Sequence, residues 1–417
     1  MSKARARRQR LAWRNPEKIK WPMIVVALVV ALTGCGHPHG VMAPVVSVAP
    51  NKSTTVDMLV ATSRQPSGDP NTLFNGERSP RIHLTEVSVS IPQNRAVGTV
   101  QWPKKIPADP KTEFAVTSVT PISDVAQGRT WVRKHSRNGS VLVFIHGFNN
   151  RFEDSVFRFA QIAHDSGADV TPVLFTWPSR ASLVQYEYDK ESTNYSRTAL
   201  EQGLRLLAED PQIKDITILA HSMGTWLTVE ALRQMGIRDG KVNPKIKNLI
   251  LASPDLDIDV FAKQYVEMGT RKPQTTIFVS QDDRALAVSR LISGDVNRLG
   301  EIDPTAEPYR SKLEKAGINA IDLTKVKTDD SLHHGKFAES PEIVQLIGTR
   351  LVNGQTLTDS NVTLGDGITA VVGGTVRGVG TVAATTVAAP VKILEQGTPK
   401  RTSSSMAETL QTGAAEF

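Results

Sequence analysis

Between residues 140 and 323 the chain alternates short, almost wholly apolar runs with longer stretches in which apolar residues recur every three or four positions. The short runs lie at 140–145, 169–175, 215–220, 246–252, 275–279 and 320–323, and each predicts a strand buried on both faces. The longer stretches predict helices over 153–164, 192–208, 225–235, 260–267 and 341–352. Strand and helix in alternation predict an α/β class with a mostly parallel sheet covered on both faces. Catalytic groups then collect at the carboxyl ends of the strands. From 56 to about 123 the pattern changes to short strands with turn signals at Pro66-Ser67-Gly68, Pro92-Gln93-Asn94 and Pro107-Ala108-Asp109-Pro110. Residues 36–54 have no period and read as a tether. From 353 onward, Gly, Thr, Ala and Val repeats with few aromatics argue against a packed domain. The expected division is a leader over 1–34, a tether over 35–54, one catalytic domain over 55–352 and a low-complexity, disordered tail over 353–417.

The candidate chemistry sits where strands end. Ile218-Leu219-Ala220-His221-Ser222-Met223-Gly224-Thr225 is an apolar strand running into a serine flanked by small residues, with a helical pattern behind it. This is the form of a nucleophile elbow, in which the turn is too sharp for side chains two positions either side of the serine. The usual first glycine is Ala220 here, a single added methyl. The strand at 140–145 ends in His146-Gly147-Phe148-Asn149. In an α/β-hydrolase the loop at that point and the residue after the nucleophile supply the oxyanion-hole N–H groups, which would be those of Phe148 and Met223. A general base and its orienting acid should follow in chain order. Asp282-Asp283 comes directly after the strand at 275–279, and His333-His334 after that at 320–323. These residues alone leave open which member of each pair is used. Asp255 or Asp257, after another strand, could be the acid in some hydrolase layouts, but both are read as the start of a helix. The segment 177–189, with Tyr186 and Tyr188, fits a substrate lid and a surface loop equally.

Ala220 to Gln234, AHSMGTWLTVEALRQ, resembles the elbow of a bacterial α/β-hydrolase family designated domain of unknown function 900. Val60-Ala61-Thr62-Ser63-Arg64 resembles that family's opening strand, Val87 to Gly98 its early hairpin, and Phe175-Thr176-Trp177-Pro178-Ser179 its Trp-Pro-Ser motif; the likeness runs from about 56 to 352. Ser280 to Leu286, SQDDRAL, resembles its Ser-x-x-Asp-x-Ala-Leu, and the resemblance implies that the acid is Asp283. The family's spacing to an aromatic and to a Ser/Asn-Pro-Glu helix start, here Phe337 and Ser340-Pro341-Glu342, implies that the histidine is His334. Lys336 stands where the resemblance leads one to expect tyrosine. The family also implies a serine esterase, so a Ser222–His334–Asp283 triad cleaving a carboxylic ester is expected, without cofactor or metal. The elbow sets the nucleophile and not the leaving group. Thioester and peptide bonds therefore stay open, and so does a non-catalytic, envelope-binding lipoprotein.

Charge changes the picture only at one end. Eight of the 49 basic residues and one of the 42 acidic residues lie in residues 1–34, so the formal +7 belongs to the leader and the rest is neutral. Nothing in the body calls for nucleic acid. The leader's apolar run, Met23 to Leu32, is shorter than the ~20 residues that span a bilayer and reads as a secretory signal. It ends in Leu32-Thr33-Gly34-Cys35, which resembles the lipobox of bacterial lipoproteins, and Cys35 is the sole cysteine. The expectation is a small-molecule or lipid ester substrate and a periplasm-facing protein held on the outer membrane through lipidated Cys35. An uncleaved signal anchor in the inner membrane is the alternative.

Overall fold

The computed structural model describes residues 38–45, 53–348, 368–372 and 375–378. The leader, Cys35 and most of the tail lie outside them. β1 (Ser53–Pro66), β2 (Phe74–Pro92) and β3 (Ala115–Ile122) form an antiparallel meander. After it come α1 (Val125–His135), β4 (Ser140–Ile145), α2 (Phe152–Asp165), β5 (Thr171–Thr176), α3 (Tyr186–Glu209), β6 (Asp215–His221) and α4 (Met223–Asp239). The chain continues through β7 (Ile246–Ala252), α5 (Ile258–Glu267), β8 (Gln274–Val279), α6 (Arg284–Ile292), α7 (Tyr309–Ala316) and β9 (Asn319–Asp322). Two short helices, α8 (Lys336–Glu339) and α9 (Pro341–Leu346), precede β10 (Thr369–Val372) and β11 (Thr375–Gly378).

Among the described residues, eleven strands join one sheet in the order β11-β10-β9-β8-β7-β6-β4-β5-β1-β2-β3. The run from β9 to β1 is parallel, and both margins are antiparallel. Alternate residues of each central strand feed opposite cores, which is why those strands read as unbroken apolar runs. Val141, Val143 and Ile145 pack on one face with Leu200, Leu204 and Leu227, while Leu142 and Phe144 pack on the other with Phe157 and Phe159 of α2. Helix starts are capped as their sequences suggest. Asp124 accepts the Gln127 N–H at 2.8 Å, and Asp257 accepts those of Asp259 and Val260 at 2.7 and 2.9 Å.

The fold departs from the sequence expectation at both ends. Val41 and Met42, expected in the tether, are buried in the core, with the Met42 N–H on Asn71 O at 2.8 Å and the Val45 N–H on Val116 O at 2.9 Å, because apolar side chains there meet the meander. Residues 369–372 and 375–378, placed beforehand in a disordered tail, extend the sheet: β10 pairs antiparallel with β9, and Ala370, Val371 and Val372 are buried. Val372 pairs with Thr375 across Gly373-Gly374. That dipeptide between Val/Thr runs is a hairpin signal. The low-complexity composition hid it. Helices α1, α6 and α7 were also missed, because each buries only one to three residues and so leaves a faint period.

Strand order reverses between β4 and β6: β5 and β1 lie on one side of this pair, and β7 to β9 on the other. Ligands in open α/β sheets bind outside the carboxyl ends of the strands at such a point. Gly147 and Ser222 leave the sheet there.

Candidate active site

Ser222 sits between β6 and α4 with φ 52° and ψ −126°, a conformation that costs a non-glycine residue about 1–3 kcal/mol. The surroundings impose it. Its N–H donates to Ala252 O at 2.9 Å, and its carbonyl accepts the N–H of Thr225 at 3.0 Å, the Thr225 hydroxyl at 2.6 Å and the N–H of Asp255 at 3.3 Å. A Cβ on Gly224 would lie 2.3 Å from His146 O, and one on Gly147 would lie 2.8 Å from Ser222 Cβ. Both glycines are therefore needed for the two loops to approach, and the serine is left only 4% exposed.

Phe148 follows β4 and Met223 opens α4. Among the described residues, neither backbone N–H donates to a protein acceptor. Met223 is also the first residue of α4, where the helix dipole places partial positive charge. The loop carrying Phe148 is held by Arg64, a fully buried guanidinium from β1. Its Nε donates to Thr176 Oγ1 at 2.9 Å, Nη1 to Ser179 O at 3.1 Å and Nη2 to Asn150 O at 2.8 Å. Burial lowers its pKa to about 10, against the pull of Asp189 and Glu153, so it stays cationic at neutral pH. His146 stacks on Trp177 with ring centroids 4.8 Å apart, and its Nε2 accepts the Trp177 N–H at 3.1 Å. Nδ1 then carries the proton and donates to Gly147 O at 2.8 Å. Burial, then Arg64, push this imidazole far below its ordinary pKa, so it is neutral. The segment 177–189 is pinned at both ends, by Trp177 Nε1 on His146 O at 2.8 Å and by Asp189, which accepts the Ser179 hydroxyl at 2.5 Å.

The two Asp-His pairs of the sequence form two separate contacts. His334 Nδ1 lies 2.7 Å from Asp283 Oδ2, and His333 Nδ1 lies 2.7 Å from Asp282 Oδ2. Their environments differ. Asp283 is buried at the amino end of α6, where its Oδ1 also accepts the Leu286 N–H at 3.0 Å. Asp282 lies at the surface side, its Oδ1 2.7 Å from the buried Lys336 ammonium. That ammonium also donates to Ser280 Oγ, Leu323 O and Thr324 O, each at 3.0 Å. Burial favours the neutral form of Asp282, but the bonds from Lys336 and Ser280 outweigh it and lower its pKa. For His334, burial works against the imidazolium; the charge and hydrogen bond of Asp283, with Asp255 and Asp330, reverse this, and the net shift is upward.

The histidine loop is shaped by Asp330, whose carboxylate accepts the N–H groups of Leu332, His334 and Gly335 at 2.9, 2.8 and 3.0 Å. It brings the His334 ring to 4.7 Å from that of His221, the residue before Ser222. Among the described residues Ser222 Oγ and His334 share no hydrogen bond. A serine hydroxyl reorients about one side-chain bond, and contacts of this kind tighten when substrate arrives. Asp255 differs from the sequence reading: Asp257 alone caps α5, while Asp255 accepts Ser289 Oγ at 2.5 Å and Tyr186 Oη at 3.2 Å and faces Arg298 Nε at 3.4 Å. Arg64, Asp330 and this network went unread because each acts across more than 30 residues or through backbone groups, which no local period records.

The model of the family of α/β hydrolases of unknown function (DUF900) matches residues 124–350, more than half of the chain. The chain belongs to this family. No curated protein matches it. The DUF900 match takes in the elbow, both Asp-His contacts and the loop after β4. The meander β1–β3 lies outside the match, although it shares the sheet and supplies Arg64 to the loop after β4. Among the described residues no group of His, Cys, Asp and Glu is arranged to hold a metal, and no helix is long and apolar enough to cross a membrane.

Proposed function

We propose that this hydrolase cleaves carboxylic esters by covalent serine catalysis. The observation that carries the reading is the Asp283–His334 pair at 2.7 Å beside a serine held at φ 52°, with two unclaimed amides at the same sheet ends. Asp283 holds the Nδ1–H tautomer and leaves Nε2 as the base. Ser222 Oγ attacks the acyl carbon as its proton passes to His334 Nε2. The tetrahedral oxyanion takes hydrogen bonds from the N–H groups of Phe148 and Met223, in the field of the α4 amino end. The imidazolium, stabilised by Asp283, returns its proton to the leaving alkoxide. Water then repeats the sequence on the acyl-enzyme.

The test is labelling of purified protein with a fluorophosphonate, with the adduct mapped by mass spectrometry. Modification of Ser222 and loss of ester turnover in Ser222→Ala, on the order of 10⁴ to 10⁶ in kcat, are expected. An unlabelled Ser222, or a fully active Ser222→Ala, would refute the reading. We also propose that the protein is exported and anchored in the outer membrane through lipidated Cys35, from the basic leader, short apolar run and Leu-Thr-Gly-Cys sequence. Metabolic labelling with a palmitate analogue should mark wild type and not Cys35→Ser.

A further inference from the structure

Away from the elbow, the structure contains a cavity of about 610 Å³ between the meander, α1 and α3. None of Ser222, Asp283, His334, Phe148 or Met223 lines it. The volume lies within the roughly 300–1,000 Å³ of small-molecule sites. Its floor is apolar, formed by Leu59, Val143, Val173 and Phe175, and Leu200 and Leu204 of α3 close one side. The cavity opens to solvent, and an apolar concavity of this size is suited to an apolar ligand.

Two independent features indicate that the room is built. On α3, Ala199 and Gly203 stand one turn apart on the cavity wall, and a Cβ placed on Gly203 meets nothing within 4 Å. Alanine would fit there and favour the helix, so mid-helix glycine gives up stability for space. The mouth is the second feature. Ile82 and Val125, 42% and 45% exposed, line the cavity where it meets solvent, and Arg81 and Arg129 stand beside them. Arg129 Nη2 reaches Glu209 at 3.4 Å while its Nε is buried without a partner, and Arg81 has no carboxylate partner among the described residues. The acids at the mouth are engaged, Asp124 in capping α1 and Asp210 with Arg133 at 2.8 Å.

We propose that this cavity binds a long-chain fatty acid, with the chain along the Ala199–Gly203 face of α3 and the carboxylate at Arg81 and Arg129. An apolar body whose mouth carries two arginines, its carboxylates Asp124 and Asp210 being held in a helix cap and an ion pair, is the complement of one acyl chain ending in one negative charge. The inference does not depend on the ester reading, because the site is separate from Ser222.

Titration of the purified protein with 11-(dansylamino)undecanoic acid tests it. Saturable binding, displaced by palmitate, is expected. Gly203→Leu, which fills the open space, should weaken binding on the order of tenfold or more without lowering the thermal midpoint. Arg81→Glu, at an exposed position, should weaken it on the order of fivefold and more at low salt than at high. Prior labelling of Ser222 with a fluorophosphonate should leave binding intact. Absence of saturable binding, displacement by phosphatidylglycerol vesicles but not palmitate, wild-type affinity in both variants, or loss of binding on Ser222 labelling would each overturn the assignment.

Discussion

His333 Nδ1 and Asp282 Oδ2 stand 2.7 Å apart, and one residue further along each segment His334 and Asp283 repeat the contact at the same distance. The two pairs are alike in chemistry and differ in what faces them. His333, at φ 57°, turns its pair toward the surface, where the buried Lys336 neutralises Asp282. His334 turns inward beside His221 and the elbow.

Alanine at 334 or 283 should therefore abolish most turnover, with losses on the order of 10⁴. Alanine at 333 should cost about tenfold or less in kcat. Asp282→Ala should act mainly on stability, lowering it on the order of 1–3 kcal/mol in urea unfolding, because it leaves a buried ammonium with neutral partners only. If His333→Ala is the inactive variant, the outer pair is the working one.

The pH profile follows from the upward shift at His334. A general base must be neutral, so the acid limb of kcat/KM should have its midpoint above the ordinary histidine value of 6.5. Asp283→Asn removes the main raising influence and leaves burial, so residual activity should show an acid limb moved downward. The same shift favours the folded state most below 6.5, and that contribution is lost as pH rises through the folded value. A midpoint that does not move in Asp283→Asn would exclude His334 as the titrating base.

Gly147→Ala tests the contact between the two loops. Its Cβ would fall 2.8 Å from Ser222 Cβ and 3.0 Å from His221 Nδ1, so one loop must shift. On the proposed mechanism this misaligns the Phe148 amide as oxyanion donor, which predicts a fall in kcat on the order of 10² to 10³. KM should change far less, which steady-state kinetics will separate.

Arg64 is expected to be a positioning residue. Arg64→Met leaves the carbonyls of Asn150 and Ser179 without their donor. Stability should drop by about 1–3 kcal/mol for each carbonyl left unsatisfied, and a thermal melt will record it. Lysine cannot reproduce the fork and should rescue stability only in part.

The order of chemical groups was legible without the structure. An apolar run ending in Ala-His-Ser-Met-Gly needs a sharp turn whatever surrounds it, and the runs at 140–145, 215–220 and 275–279 became β4, β6 and β8 within a residue at each end. Local patterning records such things because strand burial and turn sterics act over a few neighbours.

The surroundings of each pair were decided elsewhere. Only the family-like spacing to Phe337 and Ser340-Pro341-Glu342 pointed to His334; the physical difference between the two histidines comes from a positive φ, the three amides on Asp330 and an ammonium that β9 and α8 bring under Asp282. The same holds for Arg64, 86 residues from the carbonyl it fixes, for the hairpin that adds β10 to β9, and for the cavity that Gly203 leaves open beneath the meander. These depend on which distant surfaces meet, and close packing settles that only once the whole sheet is assembled.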